Sequence, residues 1–235
     1  MARSEEQRTA IRASLAVALA VALYGVSFGA LSVAAGLSVW QTCVLSLFMF
    51  SGGSQFAFIG VIASGGTSAG VAAVVGAALL GTRNGLYAVR MNPIVNGGSV
   101  RLPWWRRVLA AQLTIDETTA VSTAQPTGDA QRTGFWWTGV ILYLGWNLTT
   151  LIGALIGNAL GDVRAYGLDA AAAAAFLGLL WPRLKSLQPV VVAVGAAVVA
   201  AVLTPELPAG VPILIAALVA VLVGAFNWFG SRELA

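Results

Sequence analysis

Apolar residues run through this chain in long blocks, not in the short alternating patterns of a soluble domain. The blocks are Ser14–Ala35, Trp40–Ala63, Ala69–Met91, Phe135–Leu160, Ala170–Trp181, Pro189–Leu203 and Val211–Trp228. A membrane-crossing helix takes about 20 residues, with a range of about 17 to 25. The blocks from Ala170 and Pro189 fall short of that length. The pattern predicts an all-α integral membrane protein, a polytopic bundle of six or seven segments in one domain over residues 1–235. The first block is about twice the 7–15-residue core of a secretory signal. With more blocks behind it, it is expected to remain as a helix.

Composition supports this. Hydrophobic residues make up 58% of the chain and charged ones 9%, with mean hydropathy +0.85. Soluble domains carry about a quarter charged residues. The single cysteine, Cys43, rules out an internal disulfide framework. Arginines in short loops produce the net charge of +4, a signature of a membrane's cytoplasmic face and not of a nucleic-acid surface. Trp40, Trp104, Trp105, Trp136, Trp137 and Trp228 lie near block ends, where amphipathic rings favour the interface.

The basic residues pose a parity problem. Arg3, Arg8 and Arg12 precede the first block, so the N-terminus is expected to be cytoplasmic. Arg90, Arg101, Arg106 and Arg107 form the densest cluster and should share that side. If each of the first three blocks crosses once, the cluster ends up outside. If Trp40–Ala63 turns back as a re-entrant hairpin, the cluster lands inside.

A break in that block offers the turning point. "FSGGSQF" (Phe50–Phe56) places two glycines, two serines and a glutamine inside an apolar run. Each glycine costs a helix interior about 1 kcal/mol relative to alanine. Non-helical backbone survives at membrane depth only inside protein or against a wet cavity. What the break creates is a new helix start near Ser54 or Gln55, whose N–H groups and positive dipole end suit an anionic group such as a carboxylate. Ser51, Gly52, Gly53, Ser54, Gln55 and Phe56 are therefore candidate substrate-binding residues. The alternative is that small residues only let a neighbouring helix approach.

Two charged motifs follow. In "GTRNGLYAVRMNP" (Gly81–Pro93), Arg83, Tyr87 and Arg90 share one helix face, and Arg83 and Tyr87 join the candidate substrate-binding residues. Arg83 lies about 12 Å before the expected helix end near Met91, deep enough to face the bundle interior with a partner. The Asn92–Pro93 pair is expected to end that helix. "LTIDETTA" (Leu113–Ala120) holds the paired acids Asp116 and Glu117. Either could pair Arg83, bind an ammonium or carry a proton; a surface amphipathic helix is the competing reading. Gly25/Gly29 and Gly153/Gly157/Gly161 have the spacing of close helix contacts.

A faint internal repeat is also visible. "FGALSVAAGLS" (Phe28–Ser38) is echoed by "IGALIGNALGD" (Ile152–Asp162), and "GLS" by "GLD" at Gly167–Asp169. This suggests repeat halves of about 14–92 and 135–229, a layout used by secondary transporters. The chain has no histidine and no GxxxxGK[ST] loop, which excludes histidine relays, Ser–His chemistry and an ATP motor. No enzymatic activity and no cofactor are expected.

The chain also resembles the AzlC family, the large subunits of bacterial branched-chain amino acid exporters. The likeness rests on "YGVSFGALSVAAGLS", "SLFMFSGGSQFAFIGVIASGGTS", "RNGLYAV", "LTIDETTA" and "GLDAAAAAAFLGLLWPRL". Family members tend to carry Asn-Leu-Arg-His where this chain has Gly81-Thr82-Arg83-Asn84, so the arginine is kept and the histidine is lost. The resemblance implies a multi-pass protein of the bacterial inner membrane, acting with a small AzlD-type subunit to export branched-chain or other hydrophobic amino acids, coupled to protons. On that reading the Ser54–Phe56 helix start takes the substrate carboxylate and Asp116 the ammonium. Phe50, Phe56 and Phe58 line an apolar pocket, and Asp116 and Glu117 are the coupling candidates. The competing function is a passive channel for a small polar solute.

Overall fold

The computed structural model describes residues 4–97, 102–161, 177–178, 180–181, 184–208 and 210–229. Its elements are α1 (Glu5–Ala22), α2 (Tyr24–Ala34), α3 (Val39–Phe48), α4 (Gly52–Gly65), a 3-10 turn (Gly66–Ala69), α5 (Gly70–Asn96), α6 (Trp104–Leu113), α7 (Asp116–Thr123), α8 (Gly128–Leu160), α9 (Leu187–Leu203) and α10 (Val211–Ala225). No strand occurs among the described residues. Glu5–Ala34, Gly52–Asn96 and Gly128–Leu160 are long and apolar enough to cross a membrane. Most of the block from Ala170, the "GLD" echo and Arg101 lie outside the described residues.

Serines and a threonine start the helices as their chemistry dictates. Ser4 and Ser38 each accept from the backbone N–H three residues on, while Gln7 and Gln41 reach back to the cap. Thr127 caps α8. The ladder of the first long helix is interrupted at Leu23, between α1 and α2, where the Val26 N–H bonds the Leu23 carbonyl at 3.2 Å. There Thr149 Oγ1 donates to the Ala22 carbonyl at 2.5 Å, drawing an acceptor out of the helix's own ladder.

α8 is the spine. The α1–α2 rod lies beside it in the same direction. Thr127 Oγ1 donates to Glu6 Oε2 at 2.8 Å, Thr138 Oγ1 to Ser14 Oγ at 2.9 Å, and Thr149 bonds Ala22. The glycine faces make the closest approach. A Cβ on Gly29 would strike the Thr150 carbonyl, and one on Gly153 the Val26 carbonyl. Gly25 and Gly157 lie in the same seam, whereas Gly161 has no neighbour within reach among the described residues. Small residues here allow backbone contact between α2 and α8, as their spacing predicts.

Two hairpins fill the rest of the described bundle. A straight helix from Gly52 to Asn96 would separate Gly53 from Arg83 by about 45 Å. Instead a Cβ on Gly53 would sit 2.9 Å from Arg83 Nη2. The chain reverses at the 3-10 turn, where Gly66 has φ +61°, and α4 runs antiparallel to α5. Val61 and Ile62 cluster with Ala69 and Ala73, and Leu37 packs on the same cluster. So α3 descends from the end of α2 along α8, and α4 climbs back to that same end. α5 then runs the full length in the other direction, until Gly97 meets Arg132 near the start of α8.

α6 and α7 form the second hairpin, from the opposite end. Leu113 packs under Gly139 of α8, 3.0 Å from where its Cβ would be. Ser122 Oγ, near the end of α7, donates to the Gln131 carbonyl at 2.8 Å. Both arms therefore begin and end near the first turns of α8. α9 and α10 pack on each other, and α10 touches α5.

Two expectations change. The break lies before the glycines, at Met49–Ser51, so α4 starts at Gly52 and not at Ser54 or Gln55. Small residues favour the open first turn, while the extended backbone of Ser51 (φ −158°, ψ 101°) makes the turn itself. Pro93 does not end α5, which continues to Asn96 and stops at Gly97 in the left-handed region (φ 67°). The missing proline N–H costs one bond near an exposed terminus, and glycine supplies the stop.

Candidate functional site

The tips of the two hairpins meet beside Tyr143 and Trp146, halfway along α8. The break in the first hairpin frees carbonyls at the end of α3 and N–H groups at the start of α4. The carbonyl side is closed by the protein itself. Gln112 Nε2 donates to the Leu47 carbonyl at 3.0 Å and lies 3.4 Å from that of Phe48. The Tyr143 hydroxyl also donates to Leu47, at 3.1 Å. Gln55 Nε2 donates to the Met49 carbonyl at 2.7 Å.

The N–H side is treated differently. No side chain caps α4, and Gly52, Gly53 and Ser54 occupy first-turn positions that have no intrahelical acceptor. Ser51 and Ser54 are buried, and among the described residues their hydroxyls have no hydrogen-bond partner. A cavity of about 300 Å³ opens against them. Its polar lining is Ser51, Ser54, Asn84, Gln112 and Thr114, and Phe50 is among the apolar residues. The Asn84 Oδ1 atom is also buried and has no partner among the described residues.

Arg83 and Asp116 meet at the same level. Arg83 Nη2 lies 3.6 Å from Asp116 Oδ2, with the two side chains 29% and 33% exposed. Arg83 also lies against Gly53, and its buried Nε has no partner among the described residues. A guanidinium over the N-terminus of α4 adds positive charge to a positive dipole end. Asp116 and the half-buried Glu117 form the first turn of α7, where carboxylates complement the dipole.

The second break is made without glycine. The backbone is extended at Thr114 (ψ 98°) and Ile115 (ψ 178°). Thr118 Oγ1 holds the turn, accepting from the Ile115 N–H at 3.0 Å and lying 2.8 Å from the Leu113 carbonyl.

The candidate residues separate into four groups. Ser51 and Ser54 line the cavity, and Gly52 and Gly53 form the adjoining helix start. Arg83, Asp116 and Glu117 gather beside them. Gln55 and Phe56 face away. Gln55 is fully buried and its Oε1 accepts from Trp146 Nε1 at 2.9 Å. Phe56 packs edge-on to Phe28 at 5.7 Å and to Trp146 at 6.5 Å. Both brace the break. Tyr87 is half-buried one turn beyond Arg83, outside the cavity wall. Asn84, Gln112 and Thr114 are additions that sequence reasoning missed. The three- and four-residue spacing of Ala77, Gly81, Asn84 and Ala88 was a stripe along one helix face that could have marked Asn84.

The AzlC protein family matches residues 16–160, from mid-α1 to the end of α8, which includes both hairpin tips. No curated protein and no solved structure matches the chain. With a match over more than half of its length, the chain belongs to the AzlC family of transport-associated membrane subunits, which work with a partner subunit.

Proposed function

We propose that this chain is the large subunit of a secondary transporter that exports branched-chain or other hydrophobic amino acids, together with a small AzlD-type membrane subunit. One observation carries the reading: at the α3–α4 break every freed carbonyl named above is capped by a side chain, while Ser51 and Ser54, whose hydroxyls have no partner among the described residues, line a cavity beside the α4 N-terminus. Donors left open while acceptors are closed call for a ligand with acceptor oxygens, and a carboxylate fits. Asp116 is the counterpart for the ammonium, and Phe50 offers an apolar wall. Asp116 and Glu117 are the groups through which proton coupling would act.

The geometry also supports placing both hairpins as re-entrant segments in the bacterial inner membrane. Arg8, Arg12, Arg106 and Arg107 then share the end of the bundle that holds the N-terminus, and that end is cytoplasmic. The paired α2 and α8 glycines favour a duplicated unit. Val26 and Thr150, and Gly29 and Gly153, share the spacing of 124 residues that separates the bonded Ser14 and Thr138. The repeated helices run in the same direction, as in transporters with parallel repeats.

The test is export from cells expressing the chain with its partner subunit. Replacing Ser51 and Ser54 with Ala removes both hydroxyls without adding volume at these buried positions. A lost hydrogen bond to a charged group is worth about 1.5–3 kcal/mol, so export should fall about tenfold to a hundredfold at unchanged membrane level. Undiminished export would remove the carboxylate site. A second reading, a passive facilitator, is favoured by the meeting of two half-helices at mid-depth. It predicts flux that ignores an imposed pH gradient, where the exporter's flux follows it.

A further inference from the structure

We infer that the crevice between the second half of α5 and α6 is the substrate's route between the central cavity and the end of the bundle that carries the N-terminus, and that Ala111 sets the largest side chain it passes. This rests on the amino-acid reading above for the solute but not for the route. A second cavity of about 210 Å³ lies between α5 and α6 and is lined by Ala88, Asn92, Asn96, Arg107, Ala111 and Thr114 among others. Ala111 and Thr114 also line the central cavity. The two spaces are neighbours through that one wall.

The α5 face continues across the join. Gly81 and Asn84 line the central cavity, and Ala88, Asn92 and Asn96 the outer one. These positions recur every three or four residues and so form one stripe along the helix. The stripe carries Gly81, Asn84 and Ala88 at its inner part and Asn92 and Asn96 at its outer part, where Arg107 faces it beside the apolar Met91, Val95 and Leu102. That arrangement suits a zwitterion with an apolar side chain: the charged groups meet amides and a guanidinium outside, and small residues leave width further in. On the far side of the break the bundle is packed. Phe28, Phe56 and Trp146 stack within 5.7–6.5 Å of one another, and Gln55 ties Trp146 to α4.

Two variants test the route, both made with Cys43→Ser and the partner subunit present. Ala111→Leu narrows the join. It should lower leucine export relative to alanine export by about tenfold, the scale set by a few methylenes in a tight passage. Ala111→Cys should react with a membrane-impermeant thiol reagent from the same side as a Ser4→Cys control, and added leucine should slow the reaction. An unchanged leucine-to-alanine ratio in an active Ala111→Leu protein would overturn the constriction. Reaction of Ala111→Cys only from the side opposite Ser4→Cys, or no reaction from either side, would overturn the route. The labelling does not depend on what is carried, so its failure would leave the amino-acid reading standing. If Ala111→Leu does not assemble, the labelling alone decides.

Discussion

At the scale of single residues, the polar atoms near mid-bundle fall into those the protein satisfies and those it leaves open. Gln55 was a natural candidate for the ligand, because a glutamine in an apolar run has several hydrogen-bonding sites to fill. The fold fills them with Met49 and Trp146. Sequence spacing could not show this, since Trp146 lies 91 residues away. Arg83 and Asp116 were legible as a pair by elimination: a deep arginine needs a counter-charge, and few acids are available after the first helix. Their 3.6 Å separation and partial exposure make the pair looser than a fully buried ion pair. Coupling should fall in the usual range for interacting neighbours, about 0.5–3 kcal/mol. Arg83→Ala and Asp116→Ala should each impair export, and the double variant should lose less than the sum. A double-mutant cycle on export and on thermal stability of the extracted protein measures this. Strict additivity would show that the two charges act independently.

At the scale of elements, glycine has two different uses. In the α2–α8 seam it permits backbone contact. A methyl on Gly153 would meet the Val26 carbonyl, which has no side-chain freedom to yield. Gly153→Ala should therefore push the helices apart and destabilise the protein by about 1–3 kcal/mol, the usual cost of overpacking. Gly161→Ala meets no atom of the described residues, although φ +68° strains it locally, and should leave the seam intact. Thermal unfolding of each variant in detergent separates the two; an unshifted Gly153→Ala would mean the seam is not tightly packed. The seam was readable from its four-residue spacing. The first hairpin was readable as a break, because glycine and serine interrupt an apolar block, but its position was displaced by two or three residues. Gly52 and Gly53 open α4, and the ordinary-looking Met49–Ser51 makes the turn. The second hairpin left no such trace. Thr114 and Ile115 are β-branched residues that tolerate extended backbone, and Thr118, which holds the turn, reads as any helical threonine. Its cause is a side-chain bond visible only after folding.

At the scale of the whole molecule, the parity of the basic residues was the strongest global clue. Arg106 and Arg107 can share an end with Arg8 and Arg12 only if one block fails to cross. The fold meets that condition by turning α3–α4 back toward the end of α2, and a second hairpin rises from the other end to meet it. Two half-helix N-termini, an arginine and two acids thereby converge at the middle of α8, between regions of apolar helix. The proposed site exists only because of that convergence. If α4 instead continued across the membrane, its N-terminus would face no second tip, and the basic cluster would change sides. The most direct measurement uses single cysteines at Trp40 and Ser68, which flank the first hairpin, with Cys43→Ser as background. An impermeant thiol reagent should label Trp40→Cys and Ser68→Cys from one side of the membrane, and Ser4→Cys and Asp129→Cys from the other. Labelling of Ser68→Cys from the same side as Ser4→Cys would contradict the account, because α3–α4 would then be a crossing and the two tips would not meet.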